Sequence, residues 1–125
     1  MNRTILIVDD EPHLRTLIHQ TLEELEDEDV TLLTASNGEE ALALIESARP
    51  ALVFLDVMMP KLSGFDVCSR AKRDLGLTDV YIVLLTAKGQ EMDRQKGVEV
   101  GADLYMTKPF DPDALLDKAR SVLGL

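Results

Sequence analysis

The sequence predicts a doubly wound α/β fold, a (βα)5 three-layer sandwich whose parallel sheet is covered by helices on both faces. Three observations predict it. Short apolar runs alternate with amphipathic stretches five times along the chain, the rhythm of strand and crossover-helix units. Residues 51–55 are apolar throughout, as a strand covered on both sides must be. Polar residues able to do chemistry recur where the apolar runs end, at Asp9, Asp56, Thr86 and Lys108, and a parallel sheet gathers such positions along one edge.

The first strand is read at residues 4–8. Pro12 suits the first turn of a helix carrying Leu14, Leu17, Ile18, Leu22 and Leu25 on one inward face. The acidic stretch 26–29 reads as a solvated turn, and residues 30–35 as strand two. Asn37 followed by Glu40 resembles a capping box opening a helix through Ala41, Leu42 and Ile45, closed by Pro50. Residues 51–55 form the central strand. The loop VMMPKLSG leads to a third helix at residues 65–74, and residues 80–86 form strand four. A fourth helix, about residues 90–100, ends at Gly101, which fits a left-handed cap. Residues 104–107 make a short fifth strand. Asp111 then caps a last helix with Pro112 at its first position and Leu115, Leu116, Ala119 and Val122 inward.

Composition bounds the function. The 125 residues, 46% of them hydrophobic, suffice for one domain, residues 1–125, with one substantial core. Against 13 Lys and Arg stand 23 Asp and Glu, a net charge of -10, which repels nucleic acid and anionic membrane alike. No apolar run approaches the ~20 residues of a membrane span, and no signal-peptide pattern opens the chain, so a cytoplasmic location is expected. Cys68 is the only cysteine, which excludes an intrachain disulfide and a Cys/His zinc cluster.

If the sheet order is 2-1-3-4-5, strand two lies at the outer edge and the strands ending in acids are neighbours at the switch point. Asp9, Asp10 and Asp56 then converge. An acid after a strand is more often a turn former or helix cap, and convergence is what changes that reading. Two unit charges ~4 Å apart at an effective dielectric near 20 repel by about 4 kcal/mol. A hard cation relieves the repulsion, and carboxylates with open water positions suit Mg²⁺.

The segments ILIVDDEP, LVFLDVMMPKLSGF, IVLLTAK and GADLYMTKPF, in this order, resemble the receiver domain of the response regulators of two-component signalling. The likeness covers nearly the whole chain and implies a flavodoxin-like fold. It also implies that Asp56 accepts a phosphoryl group from a histidine kinase or a histidine phosphotransfer protein. Asp9, Asp10, Asp56 and the main-chain carbonyl of Met58 would hold Mg²⁺, for which Mn²⁺ could substitute. Lys108 and the metal would neutralise the phosphoryl oxygens. The Thr86 hydroxyl would bond the phosphoryl group and Tyr105 would turn toward the space vacated, remodelling the surface of helix four, strand five and helix five. That surface would meet a downstream protein or output domain, or a second copy in a phosphorylation-dependent homodimer. The chemistry is confined to the domain's own Asp56, so the expectation is a switch rather than an enzyme acting on other substrates.

The resemblance further implies a cis bond before Pro109, which would turn Lys108 toward the acids. It also makes Met58, two residues after the acceptor, a tuner of water attack, and Lys88, two residues after Thr86, a second position that bears on the same rate. His13 and His19 read as surface residues of helix one. A receiver-like interaction module that never takes phosphate is the alternative. A small aspartate-dependent phosphatase would want its first two acids separated by one residue, and a flavodoxin a glycine- and hydroxyl-rich first loop; Asp9 and Asp10 match neither.

Overall fold

The computed structural model describes residues 3–87, 91–108 and 111–125. The elements run β1 (Thr4–Val8), α1 (Pro12–Leu22), β2 (Thr31–Ala35), α2 (Gly38–Ala48), β3 (Leu52–Asp56), α3 (Gly64–Ser69), β4 (Tyr81–Ala87), α4 (Glu91–Glu99), β5 (Leu104–Lys108) and α5 (Pro112–Leu123). The five strands form one sheet in the order β2-β1-β3-β4-β5, all parallel. This is the predicted doubly wound fold.

Strand alternation divides the core into two layers. Leu6, Val8, Val53, Leu55, Ile82 and Leu84 pack with Ala41 and Ile45 of α2 and with Phe65, Val67 and Cys68 of α3. The intervening residues Ile5, Ile7, Leu52, Phe54, Val83 and Leu85 pack with Ile18 and Leu22 of α1 and with Leu115 and Ala119 of α5. Residues one apart on a strand face opposite ways, so a fully apolar β3 serves both layers. Register sets the functional edge: Val8 lies beside Leu55, Asp56 beside Leu85, and Thr86 and Ala87 beside Thr107 and Lys108.

Several local expectations are corrected. Leu17 is 46% exposed rather than inward: at 3.6 residues per turn it lies roughly 100° around α1 from the buried Ile18. Residues 23–28 are a 3-10 turn rather than a plain solvated turn, with Leu25 buried, and Asp29 ends it in the left-handed region (φ 64°). Asn37 does cap α2, accepting from the Glu40 amide at 2.9 Å. The reciprocal half of that box is replaced by a Ser36 hydroxyl contact to the Glu40 carboxylate at 3.5 Å. A full box appears instead at Ser63 and Asp66, opening α3. Helix three is shorter than expected, continuing beyond Ser69 as a π-helical turn, Arg70–Asp74. The buried apolar residue near the end of α5 is Leu123, with Val122 only partly covered. Gly101 has φ 88°, the left-handed cap expected after α4. Pro109 and Lys88 lie outside the described residues.

The two layers predict a contrast. Phe54→Ala, which empties a fully buried site, is expected to lower unfolding free energy by about 3–5 kcal/mol. Leu17→Ala is expected to change it by no more than about 0.5 kcal/mol; urea unfolding of both variants checks the pair.

Candidate phosphoacceptor and metal site

The acids after β1 divide their work. Glu11 is not part of the cluster but the N-cap of α1, its carboxylate accepting from the amides of His13 (3.0 Å) and Leu14 (3.2 Å). Its own amide donates to Asp9 Oδ1 at 2.9 Å. Asp9 is fully buried and Asp56 4% exposed, whereas Asp10 is exposed. Each of the three offers a carboxylate oxygen within 4.8 Å of the others. Sequence reasoning brought these residues together correctly.

Lys108, at the end of β5, reaches across β4 to the cluster. Its ammonium lies 3.0 Å from Asp56 Oδ1 and 3.3 Å from Asp9 Oδ2. The Met58 amide also donates to Asp56 Oδ1, at 3.4 Å. Oδ2 of Asp56 accepts no hydrogen bond among the described residues. One oxygen of this carboxylate is therefore held in place while the other is left available.

The loop after β3 is drawn tightly under the acceptor. The Gly64 amide donates to the Val57 carbonyl at 2.9 Å, and a Cβ at Gly64 would stand 2.3 Å from the Asp56 carbonyl oxygen. Only glycine allows this approach. Met58 projects from the loop, 72% exposed.

Thr86 is buried at the end of β4, one residue beyond the register partner of Asp56. Tyr105 is half-buried on β5, its ring beside Gly97 of α4 and Leu84 of β4. It lines a groove of about 260 Å³ with Gly97, Val98, Ala102, Asp103 and Leu104. His13 is exposed, and His19 is 3.3 Å from Glu23 on α1, away from the strand ends. Burial pushes the Cys68 thiol up to about 11, so it stays protonated at neutral pH, a packing residue rather than a nucleophile.

Burial is also the largest influence on Asp56, raising its pKa to about 6. The Lys108 hydrogen bond opposes that rise, while the Asp9 charge adds to it. For Lys108 burial acts downward, but hydrogen bonds and attraction from Asp56 and Asp9 outweigh it and the pKa rises. At pH 7 the acceptor is mostly ionised beside a charged lysine. The donor set is entirely oxygen, with one buried, one nearly buried and one exposed carboxylate, and this fits a hard divalent cation that retains water ligands.

A family model for the response regulator receiver domain matches residues 5–120. A probable transcriptional regulator ycf27 of Porphyra purpurea is 47% identical over 119 residues, covering 95% of this chain and 46% of the relative. The alkaline phosphatase synthesis transcriptional regulatory protein PhoP of Bacillus subtilis is 43% identical over 123 residues, covering 98% and 49%. The chain thus spans about half the length of these curated relatives. Among solved structures, the BeF3-activated receiver domain of DrrB superimposes with a TM-score of 0.85 at 31% identity over 100% of both chains; DrrB is a response regulator of Thermotoga maritima.

The raised Asp56 pKa has a consequence for stability. A carboxyl that binds its proton more tightly when folded stabilises the fold at pH below its ordinary 3.8, and that contribution disappears as pH rises through about 6. The interval corresponds to about 3 kcal/mol. In metal-free buffer, the stability of the wild type relative to Asp56→Asn should therefore fall by that order between about pH 4 and pH 7, as measured by chemical denaturation of both proteins.

Proposed function

Because the chain belongs to the receiver-domain family of response regulators, we propose that it is the phosphoacceptor of a two-component system, with Asp56 as the residue phosphorylated. One observation carries the reading: a half-buried lysine ammonium and three carboxylates meet at the ends of β1, β3 and β5, and one oxygen of Asp56 accepts no hydrogen bond among the described residues.

In the proposed transfer, Asp56 Oδ2 forms a bond to phosphorus as the phosphorus–nitrogen bond of a phosphohistidine breaks. The departing imidazole nitrogen keeps the electron pair and takes a proton from solvent. No general base is needed, since the acceptor is already an anion at neutral pH. Asp9, Asp10, Asp56 and the Met58 carbonyl would hold Mg²⁺, or Mn²⁺ in its place, which supplies charge neutralisation for the phosphoryl oxygens. Lys108, already paired with Oδ1, holds positive charge beside the phosphoryl group. Asp9, 3.3 Å from the same ammonium, is its second anchor.

Thr86 and Tyr105 are the proposed switch. A phosphoryl group on Asp56 offers acceptor oxygens at the end of β4, where the Thr86 hydroxyl can donate, and Tyr105 packs against the adjoining α4. Moving an inactive-to-active ratio from 1:99 to 99:1 needs about 5.5 kcal/mol, within reach of a few charge-assisted hydrogen bonds. The donor is a histidine kinase or histidine phosphotransfer protein. The output surface is α4, β5 and α5, toward a downstream protein, an output domain or a second copy. The names of the relatives, transcriptional regulators about twice this length, support an output in transcription exercised by another segment or partner, because the net charge of -10 is unsuited to direct DNA contact. Among the described residues no helix is long and apolar enough to cross a membrane, which agrees with the proposed cytoplasmic location.

Incubation with acetyl phosphate and Mg²⁺ should add one phosphoryl group by intact mass, and Asp56→Ala should abolish the adduct. No adduct, or one that survives in Asp56→Ala, would overturn the assignment in favour of a module that works without phosphate. A second expectation concerns lifetime. The exposed Met58 thioether orients water poorly, whereas an asparagine there can hydrogen-bond it. One such bond of about 1 kcal/mol corresponds to about fivefold in rate. Met58→Asn should shorten the phosphorylated state by that order; equal half-lives by quantitative mass analysis count against the idea.

A further inference from the structure

Asp9 has every polar group occupied. Its amide donates to the Ala35 carbonyl at 3.3 Å, its Oδ1 accepts from the Glu11 amide, and its Oδ2 faces Lys108. Its carbonyl, at the end of β1 where the sheet ladder runs out, accepts from the Arg15 guanidinium at 2.7 Å. Asp10 differs: exposed, it takes part in no side-chain hydrogen bond or ion pair among the described residues. With no side-chain partner there, the Cα–Cβ direction set by its backbone is what aims the side chain toward the cluster.

The Asp9 carbonyl oxygen and the Asp10 Cα belong to one planar peptide unit. A guanidinium that fixes the oxygen therefore fixes the plane from which the Asp10 side chain departs. Arg15 itself is anchored, since it sits in the first turns of α1 with its amide on the Glu11 carbonyl at 3.0 Å, and α1 is capped by Glu11. The same cation lies on the backbone of a cluster of three acids, where positive charge opposes their mutual repulsion.

We propose that Arg15 is a positioning residue for the divalent-cation site, acting through the Asp9 carbonyl to hold Asp10 in its ligating direction. The inference rests on the proposed metal reading of the acidic cluster. It predicts an effect on metal affinity rather than on the phosphoryl step itself. Partners that orient ligands from outside the coordination shell typically change affinity by about 10–100-fold.

Arg15 also lines an open groove of about 240 Å³ between α1 and β2, with Thr16, His19, Gln20, Glu23 and Thr34. Removing its side chain opens room there for a small cation from solvent.

The test is Mn²⁺ binding followed by electron paramagnetic resonance for the wild type, Arg15→Ala, Arg15→Lys and Asp10→Ala. Thermal melts in EDTA run alongside, and acetyl phosphate labelling is measured across Mg²⁺ concentrations. Arg15→Ala is expected to weaken Mn²⁺ at least about 10-fold and to raise the Mg²⁺ needed for half-maximal labelling in proportion. The rate at saturating Mg²⁺ should stay near the wild-type value, Arg15→Lys should recover part of the affinity, and millimolar guanidinium should partly rescue Arg15→Ala. Folded Arg15→Ala that binds Mn²⁺ like the wild type, or loses labelling equally at saturating Mg²⁺, overturns the inference while leaving the metal reading intact. If Arg15→Ala melts early, failure of guanidinium to restore binding below that melt overturns it as well. A wild type that binds no Mn²⁺, or binds it as well without Asp10, defeats the metal reading and the inference with it.

Discussion

The structure depends on a charge arrangement that apolar packing alone would not tolerate. Two aspartates, Asp9 and Asp56, are withdrawn from water at the carboxyl ends of adjacent strands, and the ammonium of Lys108 spans them. Taking one partner from a buried pair of this kind typically costs about 3–5 kcal/mol, because the remaining charge has no water to return to. The pairing is also incomplete, since one lysine faces two carboxylates with a third beside them. Desolvation and Asp9 raise Asp56 despite the lysine. The edge is held short of neutrality, a state that favours capture of a further positive charge.

Everything around that edge is arranged to keep it in place. Parallel register puts Asp56 beside Leu85 and Lys108 beside Ala87, so the lysine reaches the acids from two strands away. Glycine at position 64 lets the following loop close directly beneath the Asp56 carbonyl. Beyond the loop, α3 and its π-helical turn are tied to α4: Lys96 lies 5.1 Å from the centre of the Phe65 ring, Cys68 contacts the Val100 carbonyl at 3.5 Å, and Arg73 donates to the Glu99 carbonyl. Lys72 pairs with Asp103 at 2.8 Å, and Asp103 also receives the Ile82 amide. The proposed output surface is thus joined to the scaffold at the C-terminal end of α4, and Tyr105 packs against Gly97 on the same helix.

The fold was legible because parallel sheets leave a strong trace: strands buried on both faces are apolar throughout, and their last residues share an edge whatever their spacing in the chain. That reasoning placed Asp9, Asp10, Asp56 and Lys108 together across ~100 residues. It failed where a single residue's fate depended on tertiary neighbours. Leu17 has the right spacing for an inward stripe yet lies at its margin, and the cap of α1 falls to Glu11, a role that no reading of the sequence assigned to it. Glu40 matches a capping box that Ser36 displaces. Arg15 was passed over because a basic residue on an amphipathic helix carries no pattern announcing that it meets a backbone carbonyl. The DDE run followed by a basic residue four further on was the one signal available.

The central claim is that the acidic edge, not the acidic surface, captures a divalent cation. Titration of Mg²⁺ followed by backbone amide resonances tests it most directly, because the chain offers its own comparison: residues 23–29 are also densely acidic, but Glu24 and Glu28 are paired with Arg120 and no three carboxylates converge there among the described residues. The account predicts saturable, one-site shifts centred on Asp9, Asp10 and Asp56–Met58 that vanish in Asp56→Asn. Shifts spread over residues 23–29, or strand-end shifts unchanged in that variant, would contradict it.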